Sequence, residues 1–304
     1  MSTNPIFGGI EAGGTKFICA IARGPDTILA ETRFPTTTPS ETLEKAVNFF
    51  RQYTRSTGTS LAAIGIAAFG PLDLHPSSPS FGSITQTPKT GWAYTPVLRM
   101  VQDELNVPVV IDTDVNGAAL GEGTWGAARG IDNYVYITIG TGIGGGVVIN
   151  GQPLHGMVHP EIGHILIPHD PEEDPFPGSC PFHGDCFEGL ANGPAIEARW
   201  GQRGETLPPD HPAWTLEAKY ITRALHTVVC TLSPERIILG GGVMEQTQLF
   251  PMIHRMLPSS LNEYVQSRQI LSNIADYIVP PQLGGRAGVL GAIALAQRAI
   301  TAQS

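Results

Sequence analysis

One structural unit occurs twice in this chain, and that repeat limits the folds open to it more than any other feature. Residues 6–22 read as strand, glycine-rich turn and strand, "IFGGI", "EAGGT" and "KFICAIA", and residues 134–149 repeat the order as "YVYITI", "GTGIGG" and "GVVI". The copies lie about 128 residues apart, which predicts two halves built on one plan. A dinucleotide fingerprint is excluded at Gly8–Thr15, because a strand follows the glycines where that motif needs a helix. A glycine cluster alone is only a tight turn. Between two strands it can also be a phosphate cradle, where bare backbone lets N–H groups approach an anion and a Thr hydroxyl adds a donor. Thr15 stands in the first copy and Thr138 and Thr141 in the second, and two such cradles suit the phosphates of one nucleotide.

The remaining elements fit an α/β chain. An amphipathic helix is expected over about Glu41–Arg55, with Leu43, Val47 and Phe50 on one side, and a strand at Ala62–Ala68 stopped by Phe69-Gly70-Pro71. "VPVVID" at 107–112 is nearly all apolar, the mark of a strand in a sheet covered on both faces. Helices follow at about Asn116–Ala128 and Leu216–Leu232, a strand "RIILG" at 236–240 runs into Gly241 and Gly242, and "AGVLGAIALAQRAI" makes a closing helix. Residues 155–194 read as a loop crowded with His, Pro, Gly and Asp, and no linker or low-complexity tract separates packed domains.

At 304 residues the chain predicts two domains with cores that need no metal or disulfide to exist. Its 41% hydrophobic and 15% charged content exclude a disordered or fibrous protein. A net charge of −9 disfavours nonspecific contact with nucleic acid or anionic membrane, so any bound phosphate is held by local devices. Neither a secretory leader nor an apolar run of membrane-spanning length is evident, and a cytoplasmic protein is expected.

Asp114 falls just past the 107–112 strand at the start of a helix, where ligands gather in α/β sheets. An aspartate there either caps the helix or serves as a general base for an attacking hydroxyl. Of the four cysteines, Cys19 and Cys230 read as small buried hydrophobes, whereas Cys180-x-x-His183-x-x-Cys186 lies in a polar loop and reads as part of a zinc site. His155, His159, His164 and His169 all qualify by spacing as the fourth ligand. Such a clip would draw in Glu161 and Glu188, two acceptors suited to sugar hydroxyls.

The stretches "GGIEAGGTKF", "IDTDVNGAALGE", "ITIGTGIGGGVVING", "HPEIGH", "CPFHGDCFEGLANGP" and "IILGGGV" resemble, in order and over the whole chain, those of ROK-family sugar kinases. "IEAGGTKF", "TPKTGW" and "CPFHGDC" are similar to the zinc-containing bacterial fructokinases in particular. The resemblance implies an α/β, actin-like (ribonuclease H-like) two-domain fold with a duplicated βββαβ-type core. It implies a smaller domain over 1–115, a larger one over 116–288 carrying the zinc loop, and a helix at about 289–304 packed back on the first. It also implies a homodimer that transfers the γ-phosphoryl of Mg-ATP to a hexose, D-fructose at O6. Asp114 would be the base. Glu161, His164, Glu188, Gly70 and Thr113 would contact the sugar. Glu11, Gly13, Gly14, Thr15 and Lys16 would form one phosphate loop, Thr138, Gly140, Thr141 and Gly142 the other, with Gly240, Gly241 and Gly242 against the adenosine. Structural zinc would be held by His164, Cys180, His183 and Cys186. The wider family has Asp at the position of Glu11 and Asn at that of Thr113, the latter a glucose-binding amide, so glucose is not the expected sugar. Kinases for glucose, mannose or amino sugars are the alternative. The family's repressors carry a helix-turn-helix domain ahead of the first loop, where only a few residues stand here, so no nucleic-acid partner is expected.

Overall fold

Both repeats fold into antiparallel strand pairs, β1 (Phe7–Ala12) with β2 (Lys16–Gly24) and β6 (Tyr134–Ile139) with β7 (Ile143–Ile149). The computed structural model describes residues 5–301. They divide into two units: one extends to Gly130 and adds Pro153–His159 and the segment from Leu283 onward, and the other comprises Ile131–Gln152 and Pro160–Gln282.

In the first unit the sheet order is β3-β2-β1-β4-β5, with β4 (Ala63–Ala68) parallel to β1 and β5 (Val109–Thr113) parallel to β4. The edge strand β3 (Thr27–Pro35) is half exposed and alternates along its length, so it carries no continuous apolar signal in the sequence. One face of the sheet is covered by α1 (Pro39–Thr57) and α2 (Val97–Gln102), whose Leu43, Val47, Phe50 and Val101 join the core of Ile10, Ile64 and Ile66. Helix α1 starts where the Thr38 hydroxyl accepts the Glu41 N–H and Pro39 presets the first turn, and it stops at Gly58 in the left-handed region. The other face is covered by α10 (Ala287–Thr301), which also packs on α3 (Asp114–Trp125). A Cβ on Gly291 would fall 1.8 Å from the Gly117 carbonyl oxygen, so the two helices approach at a distance only glycine permits. That packing places all of α3 in the first unit. The boundary read at 115/116 therefore differs from the observed one, because the sequence does not reveal which sheet α3 lies on.

The second sheet has the order β10-β9-β6-β7-β8, with β8 (Gln152–Pro153) at one edge and β9 (Arg236–Gly240) and β10 (Ile278–Val279) parallel to β6. The segment read as an unbroken loop over 155–194 contains a 3-10 turn at Ile162–His164, α4 (Phe187–Ala191) and the start of α5 (Gly193–Trp200). Helix α6 (Pro212–Leu232) begins one turn earlier than read, with Pro212 in its first turn. Its apolar stripe runs through Ile221, Leu225 and Val228–Val229. Cys230 falls off that stripe and is exposed, correcting the expectation of burial, while Cys19 is fully buried. Helix α7 (Leu249–Leu261), masked in the sequence by Pro251 and Pro258, packs on α6, and the short α8 (Arg268–Leu271) and α9 (Ile274–Tyr277) lead to β10. Among the described residues no helix is long and apolar enough to cross a membrane.

Candidate functional site

In the first glycine turn the Gly13 N–H donates to the Lys16 carbonyl at 3.0 Å and the Thr36 hydroxyl donates to the Gly13 carbonyl at 2.7 Å, which pins the turn from behind. Among the described residues no atom beyond its chain neighbours lies within 4 Å of the position a Cβ on Gly14 would take, so the backbone there is open to a ligand. Burial pushes the Glu11 carboxyl above the usual range, Lys16 pulls it back, and Asp114 adds a further upward push. Glu11 Oε2 is buried with no hydrogen-bond partner among the described residues. An orphaned carboxylate oxygen near a second carboxylate fits the donor set that a hard divalent cation such as Mg2+ takes.

Asp114 is the first residue of α3 but does not cap it. The Thr113 hydroxyl accepts the Asn116 N–H at 3.1 Å, which makes buried Thr113 the cap, while Asp114 Oδ1 accepts the adjacent Val115 N–H at 2.9 Å. Buried Asp112 braces this corner, accepting the Thr113 N–H and the Asn116 side-chain amide, each at 2.8 Å. Gly70 follows β4, and a Cβ there would sit 3.7 Å from Nε2 of buried His159.

In the second unit two of the sequence-marked glycine stretches come together. A Cβ on Gly140 would lie 3.7 Å from the Gly242 N, and Gly140, Thr141 and Gly242 line one cleft of about 410 Å3. Gly241 turns the chain at φ +90°, where a side chain would also collide with the Ile139 backbone. Gly240 lies against the Tyr136 hydroxyl instead, and Thr138 lies within β6, so neither lines this cleft. Gly193, Pro194, Arg203 and Gln246 also stand on its walls, none of them among the expected site residues. Their signal was "ANGP": the Asn192 carbonyl caps α5 at Ala195 N while its amide donates to the Thr141 carbonyl at 3.0 Å, tying α5 to the second turn.

Glu188 on α4 accepts the Ile143 N–H at 2.7 Å and lies against Gly142, where a Cβ would come within 2.8 Å of its Oε2. The 3-10 turn carrying His164 packs on the same Ile143, because a Cβ on Gly163 would meet the Ile143 carbonyl. Exposed Glu161 immediately precedes that turn and accepts the His164 N–H at its carbonyl, 2.9 Å away.

His164, Cys180, His183 and Cys186 form a cluster with all ligand atoms within 4.8 Å of one another. Cys180 Sγ lies 3.8 Å from His164 Nδ1 and 3.7 Å from His183 Nδ1, and Cys186 Sγ lies 3.7 Å from His164 Nδ1. Zinc–sulfur bonds of about 2.3 Å and zinc–nitrogen bonds of about 2.0–2.1 Å at tetrahedral angles separate S from N by about 3.6 Å, so the donor set fits that ion. Without a cation, burial pushes the Cys186 thiol up to about 11. Both histidines turn Nδ1 toward the cysteines, which leaves Nε2 of each for another partner. Of the other three candidate ligands, His155 bonds Asp112 and His169 bonds Asp185 and Asp174, while His159 lies beside Gly70.

Two five-stranded α/β units, each with a glycine turn between antiparallel strands and one with a His2Cys2 cluster, define a duplicated α/β chain of the ribonuclease H-like kind. The chain belongs to the ROK family, whose family model matches residues 7–299. A Bacillus subtilis relative is 49% identical over 98% of each chain, and a fructokinase of Zymomonas mobilis is 45% identical over 96% of each. Among solved structures, a ROK hexokinase from Thermus thermophilus superposes with a TM-score of 0.80 at 26% identity, covering 98% of this chain and 99% of its own.

Proposed function

We propose that this chain is an ATP-dependent fructokinase that phosphorylates D-fructose at O6. The observation that carries the sugar assignment is the end-to-end match to a named fructokinase at 45% identity, well above the likeness to the hexokinase structure. The nucleotide reading is supported by the cleft that joins the second glycine turn to Gly242.

In this reading Asp114 takes the proton of the sugar hydroxyl as that oxygen bonds to the γ-phosphorus and the bond to the β-phosphate oxygen breaks. The Asp112, Thr113 and Asn116 bonds hold its corner rigid, so its orientation is set before substrate arrives. Backbone at Gly13, Gly14 and Thr15 and at Gly140–Gly142 approaches the phosphates, Lys16 offsets their charge, and Gly242 meets the nucleoside end. Glu11 would hold Mg2+, which when bound neutralises phosphate charge. Glu161, Glu188 and Gly70 would receive sugar hydroxyls and the His164 Nε2–H would donate to a sugar oxygen, with the Glu188 carboxylate already oriented by the Ile143 N–H. His164 Nδ1, Cys180, His183 and Cys186 would hold a structural zinc ion that fixes the loop bearing those acceptors.

The test is kcat/KM for fructose, glucose, mannose and N-acetylmannosamine at one Mg-ATP concentration, with the product position assigned by NMR. Fructose is expected to lead. Glucose ahead by tenfold would sink the sugar assignment and leave the kinase, and no turnover of any hexose would sink both.

A further inference from the structure

His169 stands outside the metal cluster, and its surroundings give it a specific task. Its side chain is only 7% exposed, and both ring nitrogens face acceptors: Nδ1 lies 3.1 Å from Asp185 Oδ2, and Nε2 lies 2.9 Å from the Asp174 backbone carbonyl. The ring therefore bridges the ligand loop, through Asp185, and the backbone at Asp174.

The far end of that bridge is firmly held. The Asp174 carboxylate is buried, receives the Tyr220 hydroxyl at 2.5 Å and the Arg199 guanidinium at 3.1 Å, and lies 3.9 Å from His169 Nε2. Arg199 on α5 also donates to the Leu190 carbonyl at 2.9 Å and covers the Phe176 ring at 4.5 Å. A second carboxyl near Arg199, Glu217, is pushed by burial well above the usual range. Asp185 sits in sequence between the cluster residues His183 and Cys186, and its N–H bonds the His183 carbonyl at 2.9 Å.

We infer that His169 is a positioning residue for the metal cluster: bridging through both ring nitrogens, it ties Asp185, and with it the ligand turn 180–186, to the buried Asp174–Arg199–Tyr220 group against α5 and α6. The inference rests on the reading of His164, Cys180, His183 and Cys186 as a zinc site. Partners that orient ligands from behind the metal set its retention, and losing one costs roughly 10–100-fold in affinity.

The experiment loads full-length wild type, His169→Gln, His169→Phe, Asp185→Asn and the His169→Gln/Asp185→Asn double variant with Zn2+. It follows metal release to a chromophoric chelator at neutral pH, beside the Tm of each. Release from each single variant is expected to be about 10–100-fold faster, and the double variant to be no faster than the worse single, as for groups acting as one unit. Wild-type release rates in the His169 variants, multiplicative effects in the double variant, or a lowered Tm with unchanged release would each overturn it. If the His169 variants fail to fold, Asp185→Asn decides alone, since its side chain is 47% exposed. Wild type that holds no Zn2+ defeats the zinc reading and this inference together, whereas wild type that holds it, with indifferent variants, defeats only this inference.

Discussion

His155 Nε2 lies 3.1 Å from buried Asp112, whose Oδ1 also accepts the N–H of Thr113, so a half-exposed histidine braces the backbone immediately before Asp114. The hydrogen bond to Asp112 raises the His155 pKa above 6.5, and burial opposes it. With the folded value raised, the stabilisation is complete below the unfolded value and is lost as pH rises through the folded one. The Tm gap between wild type and His155→Ala should therefore be wider at pH 6 than at pH 8.5. A constant gap across that range would show that the charged link contributes nothing. The side chain is over a third exposed, so the effect is screened and a small gap is expected.

Asp114→Asn keeps an oxygen for the Val115 N–H and the size of the side chain, but cannot accept a proton. Folding and nucleotide binding should survive while kcat on fructose falls about 10²–10⁴-fold, the range for a positioned acid–base group. Single-turnover kinetics at saturating substrate check this, and near wild-type turnover would remove Asp114 from the chemistry.

How much of this was legible in the sequence follows from the range of the forces involved. The two glycine turns were visible because strand, turn and strand are consecutive, and the His2Cys2 donors because three lie within seven residues. His164 was one of four equal candidates by spacing, and it is the one the fold brings to Cys180 and Cys186. The share of α3 packed on α10 was hidden, since nothing local in "DVNGAALGE" shows that Gly117 meets Gly291 across some 170 positions. Asn192 escaped for the same reason: its value lies in reaching the Thr141 carbonyl, 51 residues away in sequence.

Metal removal tests the division of labour between core and cluster. The second unit's core, Val135, Ile137, Leu225, Ile237 and their neighbours, is fully buried without the cluster. Exhaustive chelation should therefore abolish fructose turnover yet leave most of the far-ultraviolet circular dichroism, and Zn2+ should restore activity. Full activity in metal-free protein would separate the cluster from function, and collapse of the sheet signal would make it part of the folding nucleus.

Glu217 supplies the sharpest stability prediction. Its two carboxyl oxygens are buried without hydrogen-bond partners among the described residues, and desolvation outweighs the nearby Arg199, so its folded pKa stands well above 4.5. An unfolded chain ionises this group near 4.5, below the raised folded value, so burying it carries a pH-dependent cost. The cost is absent below that value and grows as pH rises toward the folded pKa. Glu217→Gln has nearly the shape of the protonated acid and carries no proton to lose. It should raise Tm at pH 7.5 by roughly 2–4 °C for each kcal/mol of penalty removed. The gain should shrink toward zero as the pH of the melt approaches 4.5. A Gln variant less stable than wild type at pH 7.5 would mean that the carboxylate is ionised and held by Arg199.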